Sequence, residues 1–164
     1  MNRFMGDTEI VSVIRDAVEA DIPIFFEHQR DPESMDMAKM PARDEEAFTA
    51  HWRENILAND EGTAKTILCD GEVAGNILVF DRDGKRLVGY WIGREFWGKG
   101  LATRALAELL TEETARPLYA YAATSNIGSM RVLEKCGFRL VSRETEFDER
   151  LGEEIEEALF VLEA

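Results

Sequence analysis

Between residues 64 and 122 the apolar pattern changes period more than once, and few folds accommodate the changes. Residues 66–69, 73–80 and 87–93 are short apolar runs, separated by Asp70-Gly71 and by Asp81-Arg82-Asp83-Gly84. Strand-like runs bounded by Asp-Gly turns predict three antiparallel strands in a meander. The period then becomes helical. Leu101, Ala102, Ala105, Leu106, Leu109 and Leu110 recur on one side, and Pro117 bounds the helix. Residues 118–122 form a further short strand, so 87–122 reads strand-helix-strand. Such a unit crosses over right-handedly and leaves a parallel pair inside an otherwise antiparallel sheet.

The flanks supply the rest. Residues 8–15 carry Ile10, Val11, Val13 and Ile14 and read as a strand. Asp21 is placed as a helix cap, with Pro23 in the first turn and Ile22, Phe25 and Phe26 on one face; Asp31-Pro32 stops that helix. Met35, Met37 and Met40 cluster in residues 34–40, where methionines suit an adaptable pocket or a gap in the core. Asp44 opens a second helix, whose Phe48, Trp52 and Ile56 share a buried face. Ser125-Asn126 caps a helix striped by Ile127, Met130, Leu133 and Cys136 and ended by Gly137. Residues 138–147 and 155–162 are the last strands, joined through Gly152. The order is β-α-α-β-β-β-α-β-α-β-β: an α/β chain of the α+β type, with helices flanking a mixed, mostly antiparallel central sheet. No repeat or linker interrupts it, so residues 1–164 read as a single domain.

Charge narrows the partners. Nineteen Lys and Arg against 33 Asp and Glu give −14, which argues against nucleic acid and suits a cationic partner or a solubilising surface. No apolar run approaches the roughly 20 residues of a membrane span, and the first residues lack a secretory pattern; the expectation is no membrane and a cytoplasmic location. Cys69 and Cys136 are too few for a disulfide framework and read as buried, reduced core residues. With only His28 and His51 besides, no metal-ligand spacing appears, and no metal is expected.

The segment that carries chemistry is Gly98-Lys99-Gly100, between a strand and the amphipathic helix. Glycines let the backbone approach a ligand, and the first amides of the helix have no intrahelical partner and lie at its positive end. Together they suit a diphosphate, with Lys99 adding charge. The pattern is not a Walker loop, and Thr103 stands where a dinucleotide fingerprint needs a third glycine.

Gly98-Lys99-Gly100-Leu101-Ala102-Thr103 resembles the acetyl-CoA diphosphate loop of the GNAT N-acetyltransferase superfamily. The segment 126–138, with Asn126, Ser129 and the ending Lys135-Cys136-Gly137-Phe138, resembles that family's second signature. Gly89-Tyr90-Trp91-Ile92 and Phe96-Trp97 are similar to the branch of bacterial ribosomal-protein N-terminal acetyltransferases. Glu95, three residues before the first glycine, departs from the family's usual Gln or Arg, which puts a side-chain contribution there in doubt.

The resemblance implies a GNAT fold and acetyl-CoA as acetyl donor. Trp91, Ile92 and Gly93 would offer backbone groups to the pantetheine arm and the acetyl carbonyl, provided the neighbouring strand splays away. Trp97, Gly98, Lys99, Gly100, Leu101, Ala102 and Thr103 would hold the diphosphate. Asn126, also a plausible helix cap, would bond the pantetheine. Ser129 would protonate the departing thiolate, with Tyr90 or Tyr121 as substitutes. Glu144 and Glu146 share the parity of Phe138 and Leu140, which points both inward; Glu146 is preferred as general base over Glu144, Asp81, Asp83 and Asp148 because the similar enzymes place an acidic residue in this region. Arg104 and Arg131 reach either the adenosine phosphates or surface partners.

The expected activity is transfer of acetyl from acetyl-CoA to a primary amine, by direct attack in a ternary complex. The acceptor is a protein N-terminus or a small cationic amine. A small-molecule detoxifying enzyme and a non-catalytic acyl-CoA sensor are the alternatives. A homodimer through the last strands or the exposed edge is left open.

Overall fold

A computed structural model of the chain describes residues 12–40 and 43–164. Seven strands form one sheet in the order β1-β2-β3-β4-β5-β7-β6. β1 (Ile14–Asp16) is shorter than the run expected at 8–15, whose residues 8–11 lie outside the described part. β2 (Thr63–Cys69), β3 (Glu72–Arg82) and β4 (Lys85–Ile92) make the antiparallel meander. β3 reaches Arg82, so the second hairpin turn shrinks to Asp83-Gly84.

Three helices, not two, precede the meander: α1 (Ile22–Gln29), α2 (Pro32–Ala38) and α3 (Glu45–His51). Asp31-Pro32 both ends α1 and starts α2. The Asp31 carboxylate accepts from the Ser34 amide at 3.0 Å, and Pro32 occupies the first turn, where no amide is needed. Met35 and Met37 of the methionine segment are therefore helical, and Met40 lies beyond the helix end. Asp44 caps α3 through the Ala47 amide at 2.7 Å, and the helix runs on into wider π-type turns at Trp52–Leu57.

Asp21 stands at the cap position of α1, but its side chain does not cap that helix. It is buried, accepting from Arg15 at 2.8 and 3.0 Å, from Thr66 at 2.7 Å and from the Val18 amide at 3.1 Å. Burial opposes its charge, yet these bonds outweigh it and hold the carboxyl at about 2.

α4 (Leu101–Glu112) links β4 to β5 (Leu118–Ala123), and the two strands pair in parallel as expected. α5 (Ile127–Lys135), β6 (Arg139–Asp148) and β7 (Glu153–Leu162) complete the chain. Leu101, Ala105, Leu106 and Leu109 of α4 and Leu133 of α5 pack on one sheet face with Ile77, Val79, Ala120 and Phe160. Ile22, Phe25, Phe48 and Trp52 cover part of the other face. Cys69 and Cys136 are half-buried beside the first cluster rather than inside it.

One irregularity overturns an inference from strand parity. Leu140 pairs with Phe160, but Ser142 pairs with Leu159, so Val141 is an extra residue. The bulge flips every later side chain of β6. Glu144 and Glu146 therefore lie on the opposite face from Phe138 and Leu140.

Candidate active site

The parallel pairing of β4 with β5 is confined to Leu87 and Tyr119. Beyond it β5 pairs with β7 along its whole length, from Leu118 to Ala123. The strands diverge, and the cleft-side edge of β4 loses its neighbour. A cleft of about 400 Å³ opens in the gap, lined by Tyr90, Trp91 and Ile92 of β4, by the bend and first turn of α4, and by Asn126, Gly128, Ser129 and Val132 of α5. Ser34, Met37 and Ala38 of α2 wall it opposite.

At the bend, Gly98 has φ +79° and Gly100 φ +73°, backbone that a side chain rarely adopts. Gly100 is the residue preceding α4 and offers no side-chain cap, so the amides of Leu101, Ala102 and Thr103 have no partner in the helix. These residues line the cleft with Gly98, Gly100 and Trp97. Lys99 is exposed and does not line it, and neither do Arg104 and Arg131. Among the described residues none of the three has a carboxylate partner, so in a chain of charge −14 they leave positive charge around the two helix starts. Glu95 turns to a separate hollow beside His28, Glu27, Asp31 and Arg94.

Asn126 does cap α5: its side-chain oxygen accepts from the Ser129 amide at 3.2 Å. The cap leaves its amide nitrogen free to donate. Ser129 is no solvent-facing helix residue. The Tyr90 hydroxyl lies 2.9 Å from its hydroxyl and donates to its carbonyl at 3.1 Å. Burial pushes the Tyr90 phenol well above its ordinary value, so it stays protonated and donates rather than accepts protons. Tyr121 is 37% exposed, with Arg82 over its ring, and is absent from the cleft lining.

Two expected contacts are placed differently. The Ile92 carbonyl already accepts from the Trp97 indole at 3.0 Å, which leaves one lone pair. Gly93 does not line the cleft: its amide donates to Ala74 at 2.8 Å. Glu146 is exposed, opposite Ile155 of β7, and also does not line the cleft. It belongs to an acidic strip with Glu144, Asp148 and Glu157. Glu157 lies opposite Ala123 at the cleft end of β5. Burial pushes its carboxyl up; Arg82 opposes this, and repulsion from Glu146, Asp148 and Glu144 adds to it.

Sequence reading missed Ser34, Ala38 and Glu157. Nothing local marks them: the first two come to the cleft only because α2 exists and docks beside β5. The Ser125 hydroxyl donates to the Met37 carbonyl at 3.1 Å, and Lys39 pairs with Glu153 at 2.9 Å, which fixes the end of α2.

The cleft suits coenzyme A in kind: unpartnered amides and uncompensated cations for a diphosphate, then a widening gap between strands for an extended arm. Comparison with known proteins agrees. A putative ribosomal N-acetyltransferase, YdaF of Bacillus subtilis, is 34% identical over 100 residues, which covers 57% of this chain. The match spans about half of that relative, 54% of its length. Among solved structures, the Salmonella typhimurium acetyl transferase that modifies the N-terminal serine of a ribosomal protein superposes with TM-score 0.76 at 19% identity, covering 92% of this chain and 94% of that one. Spermidine N-acetyltransferase from Vibrio cholerae, in complex with CoA and spermine, gives TM-score 0.77 at 14% identity, covering 92% and 94%. Residues 13–139 match the family described as acetyltransferase (GNAT) domain, and the chain belongs to that family.

Proposed function

We propose that the protein is an acetyl-CoA-dependent N-acetyltransferase whose acceptor is a polypeptide N-terminus. The observation that carries this is the gap between β4 and β5, where the glycine bend, the start of α4 and the Tyr90–Ser129 pair converge. Acetyl-CoA supplies an activated thioester. Trp97, Gly98, Gly100, Leu101, Ala102 and Thr103 hold its diphosphate through backbone amides, with Lys99 adding long-range attraction. Trp91, Ile92 and Asn126 border its arm. The Ser129 hydroxyl, oriented by Tyr90, donates a proton to the departing thiolate.

The attacking amine must be neutral and must shed a proton afterwards. The Glu146–Glu157 group is the acceptor of that proton. Neither lines the cleft, but Glu157 is the better placed of the two, because its raised affinity for protons brings it closer to the task at neutral pH and its strand, β7, pairs directly with β5. Holding both substrates in one cleft makes the attack effectively unimolecular.

An open acceptor side favours a polypeptide over an enclosed metabolite. Beyond α2 the sheet face around Tyr121, Glu144 and Glu146 is exposed, a trough rather than a pocket. The acidic strip attracts an ammonium group. Free cysteines suit a reducing, cytoplasmic location. Thiol release from acetyl-CoA with a panel of peptides and small polyamines tests the proposal. Release with peptides bearing a free N-terminus supports it. Release with polyamines alone moves the acceptor to the small-molecule class. Coenzyme A binding without release for any amine makes the protein a sensor.

A further inference from the structure

Gly93 was expected to touch the acetyl donor, and it lies instead in the buried junction between β4 and the bend. A side chain there has no room. A Cβ on Gly93 would meet His28 Cδ2 at 2.6 Å, Nε2 at 2.8 Å and Cγ at 3.0 Å. The imidazole, from the last turn of α1, therefore fills the space where a Gly93 side chain would stand. It is 8% exposed, and its Nδ1 has no hydrogen-bond partner. A buried, unpaired polar atom is costly, so hydrogen bonding does not explain a histidine here; its shape does.

The contact reaches the cleft by two routes. Phe96, which lines the cleft, stands edge-on to the His28 ring at 6.2 Å and 79°. Trp91, which also lines it, donates its indole N–H to the His28 carbonyl at 3.3 Å. Between them the backbone turns tightly: Gly93 carbonyl accepts from the Phe96 amide at 2.8 Å, and Arg94 carbonyl from the Trp97 amide at 3.2 Å. That turn leads straight into Gly98. A shift of the imidazole would move the whole approach to the bend.

We infer that His28 is a positioning residue for coenzyme binding: its ring wedges against Gly93 and sets the Gly93–Trp97 turn that delivers the diphosphate bend. The inference rests on the cleft being the coenzyme A site. It predicts a reciprocal fit between a ring and an absent side chain, which can be tested by exchanging the two.

The experiment is a double-mutant cycle in the full chain, with coenzyme A affinity read by calorimetry and folding read by thermal unfolding. Gly93→Ala is expected to weaken binding at least about tenfold. His28→Ala, which removes the wedge, weakens it several-fold and raises KM for acetyl-CoA while kcat at saturation is unchanged. Combining them restores affinity above that of Gly93→Ala alone, because the new methyl enters the space the ring vacates. If the two losses simply multiply, or if His28→Ala lowers thermal stability with affinity unchanged, the inference is wrong.

If Gly93→Ala does not fold, His28→Gln gives a second readout. Around the ring, burial dominates and holds its proton affinity below the ordinary histidine value; Glu95 on the facing turn and Glu27 on α1 oppose this, and Asp31 and Arg94 border the same hollow. Wild-type affinity should fall as the pH drops below the ordinary histidine range, where a charged ring is forced out of its slot. The profile of His28→Gln should be flat there, and superimposable profiles overturn the inference. Wild type that binds no coenzyme A overturns the reading of the cleft and this inference with it. Wild type that binds while the cycle shows no coupling overturns the inference alone.

Discussion

The two walls of the cleft are made of different material. On one side stand the glycine bend, the start of α4 and the start of α5, and what they present is largely backbone. On the other stand α2 and, beyond it, the acidic strip of β6 and β7, which present side chains brought from distant parts of the chain. On the proposed reading, the first wall would recognise whatever offers an anion and an extended arm, almost regardless of which residues flank the bend. The second can change its preference with single substitutions. Such a division lets one fold keep its donor and vary its acceptor.

The sharpest way to break this contrast is at the bend. Gly100 has φ +73° in the residue before α4, where a β-branched side chain is strained by more than the roughly 1–2 kcal/mol of an ordinary residue. Gly100→Val should weaken coenzyme A binding by about 100-fold while the protein still folds, since no protein atom lies within 4 Å of the added Cβ. Calorimetry checks it. A valine variant with wild-type affinity would mean that the first wall is not backbone in the sense argued.

A comparable fall should appear in turnover but not in affinity at Ser129. Ser129→Ala is expected to lower kcat about 100-fold, near the lower bound for a lost general acid, and to leave the Kd for coenzyme A within about twofold. Tyr90→Phe should cost about tenfold, because the phenol acts through the serine hydroxyl 2.9 Å away. If the tyrosine variant loses more than the serine variant, the phenol itself is the acid and Ser129 its support.

The same division decides what could be read from the sequence. The meander, the crossover, the glycine bend and the Asn126 cap each depend on a local pattern, and each is where the pattern puts it. The failures come where one or two residues serve a purpose that the periodic pattern does not carry. α2 was lost because Asp31-Pro32 carries a stop and a start in the same two residues. The facing of Glu144 and Glu146 was reversed because a single extra residue, Val141, leaves no mark in an alternating pattern. Gly93 was assigned to the ligand when His28, 65 positions earlier, claims its space. Asp21 occupies a cap position but answers to Arg15 and Thr66.

The acidic strip offers a test in pH. Glu157 must be ionised to take a proton, and its carboxyl is raised above the ordinary 4.5. Activity should therefore fall, as the pH drops, at a higher pH than an ordinary carboxylate would give. Glu146 contributes to that rise by repulsion, so Glu146→Gln should move the acidic limb to lower pH and reduce the rate only a few-fold. Glu157→Gln should remove the limb and lower the rate about tenfold. If Glu146→Gln removes the limb and Glu157→Gln does not, Glu146 is the base and Glu157 only tunes it.

The smallest effect should come from Met37, and it bears on whether the second wall selects at all. Met37 lines the cleft from α2 beside Ser34 and Ala38, half-buried, and its carbonyl is tied to Ser125. Met37→Ala removes side-chain bulk without touching that bond. Stability should drop by about 1 kcal/mol, as for a typical substitution away from the fully packed core. KM for a peptide acceptor should rise about threefold, while the Kd for coenzyme A should stay within about twofold, because the thioether faces the donor wall across the cleft rather than belonging to it. Peptides with different first residues would sharpen the result. If α2 reads the acceptor, the variant should respond differently to large and small first residues than wild type does. Equal changes for every peptide would make α2 a passive cover, and acceptor choice would then fall to the strip on β6 and β7 alone.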